Sequence, residues 1–100
     1  MTRTIPPEAR AYKRTPTFTE TSTPEALRKA HSTKAGVWGK LCVTAGRLLY
    51  VVDDPAPGAE AVALSPDTGP GIILPQQKHH VEIDGPVAFH VEFYAVAATV

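Results

Sequence analysis

Apolar residues fall in short runs separated by turn-forming residues, and within the runs they recur with a period of two. From Val37 to Val43, residues Val37, Gly39, Leu41 and Val43 share one face, while Trp38, Lys40 and Cys42 share the other. Successive side chains of a strand alternate in this way. Val87 to Val96 repeats the pattern: Val87, Phe89, Val91 and Phe93 face one way, and Ala88, His90, Glu92 and Tyr94 the other. Leu48–Val52, Glu60–Leu64, Ile72–Leu74 and His79–Ile83 are shorter strand-like runs. Thr44-Ala45-Gly46-Arg47 reads as a turn, which makes Val37–Val52 a hairpin. Thr23-Pro24-Glu25 predicts a short helix over about residues 23–30, with Thr23 as N-cap and Pro24 at the first helical position.

Ten prolines, most of them between the apolar runs, mark the turns. Proline fixes φ and has no N–H to donate, so it belongs at turns and strand ends. The sum is about six to eight short strands, which predicts an all-β fold: a small cupin-like β-sandwich or jelly-roll barrel. Residues 1–15 are polar and aperiodic and read as an extended N-terminal arm. Residues 16–100 read as one domain, with a small-residue apolar tail over 95–100 that packs or frays.

Composition narrows the function classes. Ten basic residues balance ten acidic ones, so the basic excess typical of nucleic-acid or membrane-surface binders is missing. No apolar stretch approaches the roughly 20 residues that span a bilayer. The N-terminus carries arginines but no apolar core of a signal peptide. Cys42 is the one cysteine, which rules out an intrachain disulfide and suits a reducing, cytoplasmic setting. It reads as buried and inert.

Four histidines carry the candidate chemistry. His31 stands just before the first long strand; His79 and His80 follow a proline-led turn, with Glu82 just beyond them. Imidazole and carboxylate groups from separate strands are usual ligands for zinc, nickel or iron. His90 and Glu92 alternate with large apolar residues and read as a solvated outer face. No nucleophile elbow, catalytic-cysteine signature, Walker loop or dinucleotide glycine pattern is present.

The run Ala30-His31-Ser32-Thr33-Lys34-Ala35-Gly36-Val37-Trp38-Gly39-Lys40-Leu41, with Gly46-Arg47-Leu48 after it, resembles the signature of the TehB/YeaR-like domain family. Pro75-Gln76-Gln77-Lys78-His79-His80-Val81-Glu82 is similar to the family's second block, and Glu92-Phe93-Tyr94 to its final aromatic strand. Lys78 departs from the pattern, where the family often has Trp. The likeness spans about residues 16–96 in the right order.

It implies a compact cupin-type β-sandwich and a stress- or tellurite-resistance context. Methyl transfer in full-length relatives belongs to a second, S-adenosylmethionine-dependent domain, so no methyltransferase activity is carried over. By resemblance the site residues are His31, His79 and Glu82. Simple alternation instead pairs His80 with Glu82, so His80 stands as the substitute for His79.

Three functional readings follow. The first is a binding module that takes a divalent metal (Zn, Ni or Fe) or a small ligand in the barrel mouth. The second is a homodimeric interaction domain without a small-molecule site. The third is a metal-dependent cupin-type enzyme.

Overall fold

The structure is a computed structural model that describes residues 4–96. Eight strands and one short helix build two antiparallel sheets: β1 (Arg10–Arg14), β2 (Phe18–Thr19), α1 (Glu25–Arg28), β3 (Val37–Gly46), β4 (Leu48–Val52), β5 (Glu60–Leu64), β6 (Gly71–Ile73), β7 (His79–Glu82) and β8 (Val87–Ala95). The larger sheet has the order β1-β8-β3-β6, with β2 also paired to β8; the smaller has the order β5-β4-β7. The fold is a small β-sandwich, as the alternation predicts. No helix among the described residues is long and apolar enough to cross a membrane.

The two long strands, β3 and β8, form the centre of the larger sheet, with Leu41 opposite Val91 and Val43 opposite Phe89. Their predicted inward faces are the buried ones. Phe89 is fully buried and Leu41, Val43, Val87 and Val91 are nearly so. Leu48, Tyr50 and Val52 of β4 and Val81 of β7 meet them from the other sheet. Burying each such large apolar side chain contributes about 1.5–3 kcal/mol. Polar alternates on the opposite faces keep the two-layer arrangement in register.

Two expectations change. Val37–Val52 is not a hairpin. β3 pairs with β6 and β8, β4 with β5 and β7, so the chain switches sheets at Gly46. A register shift between Val43 and Ala45 and a φ of +70° at Gly46 turn it, as bulges and glycines do at sheet corners.

Arg10–Arg14 lies along β8 as an edge strand, although all five residues are exposed and offer no apolar signal. The helix is a single turn, Glu25–Arg28, with Pro24 at the N-cap position and no side-chain cap. Thr23 stands one residue before the N-cap, and its hydroxyl donates to the Thr19 carbonyl, 2.7 Å away. Of the predicted tail, Ala95 belongs to β8 and residues 97–100 lie outside the described residues.

Candidate functional site

His31 and His79 come together through their backbones. The N–H of His31 donates to the carbonyl of His79 at 2.9 Å, and the N–H of His79 donates back at 2.8 Å. This reciprocal pair is an isolated antiparallel bridge that extends the smaller sheet by one residue beyond β7. It fixes the two imidazoles side by side, with ring centroids 4.2 Å apart and planes inclined at 60°. The Tyr50 ring also packs against His79, with centroids 5.6 Å apart.

Both rings are anchored in the same manner. Nδ1 of His31 donates to the Lys29 carbonyl at 2.9 Å, and Nδ1 of His79 donates to the Gln77 carbonyl at 2.8 Å. With Nδ1 donating, the lone pair of a neutral ring lies on Nε2, which is the tautomer that a backbone carbonyl sets in metal-binding histidines. Burial is the main force on the His79 imidazole and pushes its pKa down to about 4, against a smaller upward pull from the Gln77 carbonyl. His79 is therefore neutral at pH 7, with its lone pair available.

The pair borders a cavity of about 360 Å³ between the sheets. Apolar residues such as Leu41, Val81, Val91 and Phe93 supply most of its walls, and Ser32, Thr33, Lys34 and Lys13 its polar ones. That volume lies within the range of small-molecule sites, which are mostly apolar with a few placed polar groups.

Glu82 does not join His31 and His79. Alternation along β7 buries His79 and Val81 and turns His80 and Glu82 outward. The expected set of His31, His79 and Glu82 is thus split between the two faces of β7. On the outer face, His80 donates from Nε2 to Glu82 at 2.9 Å and from Nδ1 to the Asp53 carboxylate. Asp53 is 8% exposed, and its second oxygen accepts the N–H of Gly58 at 2.9 Å. Burial alone would lower the His80 pKa, but the bonds to Glu82 and Asp53 outweigh it and raise the imidazole above its usual value. The hydrogen bond from His80 in turn holds the Asp53 carboxyl below its usual value.

Sequence reasoning missed Asp53 and Tyr50. An acidic residue directly after the apolar run Leu48–Val52 was the available signal for Asp53. Its partner follows only from the register that sets Val51 opposite His80 and Val52 opposite His79. His90, expected on a solvated face, is 6% exposed, and Cys42 is half-buried.

Comparison with known proteins agrees with this architecture. The family model of the TehB-like domain matches residues 13–91. A probable S-adenosyl-L-methionine-dependent methyltransferase TehB from Haemophilus influenzae (strain Rd) is 32% identical over 72 residues, covering 71% of this chain. Its counterpart in strain 10810 is 31% identical over the same length. The chain spans about a quarter of these relatives (25% of each). The crystal structure of TehB from Haemophilus influenzae superposes with a TM-score of 0.83 at 26% identity, covering 92% of this chain and 33% of that one. A protein from Escherichia coli K12 matches over its whole length (97% of this chain, 100% of that one) with a TM-score of 0.87. At 18% identity, it shares the fold. With the family model matched from β1 into β8 and the sandwich reproduced in a solved relative, the chain belongs to the TehB-like domain family.

Proposed function

We propose that this domain is a binding module of a stress- or tellurite-resistance system, and that its ligand enters the inter-sheet cavity and is held by Nε2 of His31 and His79. The observation that carries the reading is the pair of imidazoles, both anchored through Nδ1, at the edge of a mostly apolar cavity. Two imidazole nitrogens suit a divalent ion such as Zn, Ni or Fe. The cavity is larger than an ion requires, so the ion completes its coordination with a small ligand. Lys13 and Lys34 on the walls favour an anionic one.

The test uses tag-free protein carrying Cys42→Ala, with the imidazole nitrogens followed by NMR while Zn²⁺, Ni²⁺ or tellurite is added. The expected result is a selective shift of the His31 and His79 Nε2 signals, with binding lost in His31→Ala and His79→Ala. Unmoved signals at millimolar additions of every probe would refute the module.

A second reading, a metal-dependent enzyme of cupin type, draws support from the cavity volume. An ion held by two protein nitrogens keeps open positions for a substrate. Turnover of a bound ligand by the metal-loaded protein, abolished in His79→Ala, separates it from simple binding.

A further inference from the structure

The outer face of the larger sheet, turned away from the His31–His79 cavity, carries a second convergence of donors. The register of β3 on β8 sets Cys42 directly opposite His90, and Lys40 opposite Glu92. Alternation along β8 brings Glu92 to the same face as His90. A thiol, an imidazole and a carboxylate therefore meet from two adjacent strands, with one donor atom from each lying within 4.8 Å of the others.

Two observations make this more than a chance grouping. First, His90 faces away from the main core yet is 6% exposed, so its ring is withheld from bulk water on the face that carries Cys42 and Glu92. Second, the carboxylate is held in place. Tyr94 donates its hydroxyl to Glu92 Oε1 at 2.9 Å, while Nε2 of His90 lies 3.2 Å from Oε2.

The geometry points to a divalent transition-metal site formed by Cys42, His90 and Glu92, of the zinc or cobalt class, with a water molecule as fourth ligand. Tetrahedral bonds of about 2.0–2.2 Å to nitrogen and oxygen place those two atoms about 3.3 Å apart. The 3.2 Å between His90 Nε2 and Glu92 Oε2 already matches that edge. Bonds of about 2.3 Å to sulfur ask for a separation near 3.6 Å from each of the others, so closing from at most 4.8 Å takes a small side-chain adjustment. The thiolate selects against magnesium and calcium. Thiolate and carboxylate together neutralise the ion's two charges. Lys40 lies over the Tyr94 ring, 5.2 Å from its centroid. Burial and the charge of Glu92 keep the Cys42 thiol protonated in the free chain, with Lys40 and Arg14 pulling the other way. Metal uptake forms the metal–sulfur bond and releases the thiol proton to solvent, and the ring proton of His90 passes from Nε2 to Nδ1 as the Nε2 lone pair takes the metal.

Cobalt(II) titration of the whole chain tests the site. Cys42 is the one cysteine, so a thiolate-to-cobalt charge-transfer band reports on this cluster alone. The expected result is a band saturating at one equivalent, competed away by Zn²⁺. It should vanish in Cys42→Ser and weaken by about tenfold or more in His90→Gln and Glu92→Gln. His31→Ala and His79→Ala should leave it unchanged, which keeps this outcome separate from that of the cavity. Circular dichroism confirms that each variant is folded, and Glu92→Gln, a near-isosteric change on a half-buried residue, serves if Cys42→Ser is not. No charge-transfer band at millimolar cobalt, or a band indifferent to both His90→Gln and Glu92→Gln, overturns the assignment.

Discussion

Gly46 is where the chain leaves one sheet for the other, and its replacement by alanine tests that corner. A Cβ at Gly46 would lie 2.0 Å from the carbonyl oxygen of Pro86, in the connection that leads into β8. The φ of +70° adds a backbone penalty. Gly58 is a matched control: it has the same φ of +70°, and nothing lies within 4 Å of the Cβ position. In Gly58→Ala the left-handed conformation costs about 1–2 kcal/mol. The stiffer unfolded chain returns about 0.4–1 kcal/mol, for a net loss near 1 kcal/mol. Gly46→Ala carries that loss plus an overlap with backbone, which no rotamer change relieves; overpacking of this kind costs about 1–3 kcal/mol. The expected total is about 2–4 kcal/mol. For a domain of this size each 1 kcal/mol moves the melting midpoint by about 4–8 °C. Gly58→Ala should therefore melt about 4–8 °C below the parent, and Gly46→Ala about 8–30 °C below it. Thermal and urea unfolding followed by circular dichroism supply both numbers. Two variants that agree within about 0.5 kcal/mol would refute the claim that close approach to Pro86, rather than φ alone, makes this corner depend on glycine.

Phe89→Ala removes a ring that is 0% exposed and packs on Phe18 with centroids 5.7 Å apart; a loss of about 3–5 kcal/mol in urea unfolding is expected, and a loss under 1 kcal/mol would contradict its central place. Proton NMR in the presence of chelator should show His79 titrating near pH 4 and His80 above its ordinary value, with His80 falling back in Asp53→Asn; a His79 midpoint at the ordinary value would show that the ring is not buried. The two histidines act on stability with opposite signs. The depressed His79 makes folding less favourable as pH falls from about 6.5 towards 4, on the order of 3 kcal/mol in all, so His79→Leu should lose less stability over that window. The raised His80 stabilises the fold below about pH 6.5, and that contribution disappears as pH rises through its folded value. Gln76, a non-glycine residue at φ +61°, predicts that Gln76→Gly is neutral to stabilising by up to about 1 kcal/mol; clear destabilisation would mean that its side chain holds the turn.

The alternation of Val37–Val43 and Val87–Phe93 was enough to read the two central strands and the faces they bury. Period-two patterning reports a half-buried strand directly, because each inward position must be apolar. The pattern is silent where burial is not what forms the strand. Arg10–Arg14 is held by backbone pairing to β8 with all of its side chains exposed, so no apolar period marks it. Sheet membership is equally silent. Thr44-Ala45-Gly46-Arg47 looks the same in sequence whether the next strand folds back beside β3 or crosses to the other layer. What decides is a bulge and the room left by Gly46 beneath Pro86, which are contacts with residues some forty positions away.

The candidate sites divide along the same line. Alternation correctly pairs His80 with Glu82, and the resemblance singles out His79; the two cues point at different groups on opposite faces of one strand. Alternation also assigns His90 to an outward face, but a face turned from the core is not always open to water. The partners that accompany His90, Cys42 from β3 and the Tyr94-held Glu92, come from the strand register rather than from the local sequence.

The His31–His79 pair differs in a way that matters for testing it. Its two residues are joined by backbone hydrogen bonds of 2.9 and 2.8 Å that do not involve either ring. Replacing one side chain therefore leaves the bridge, and with it the position of the other imidazole. A ligand that needs both nitrogens should lose affinity to a similar extent in His31→Ala and His79→Ala. A ligand that merely fills apolar space should respond to Leu41 and Phe93 instead. The fold thus separates coordination from cavity filling without a rearrangement to confound the comparison.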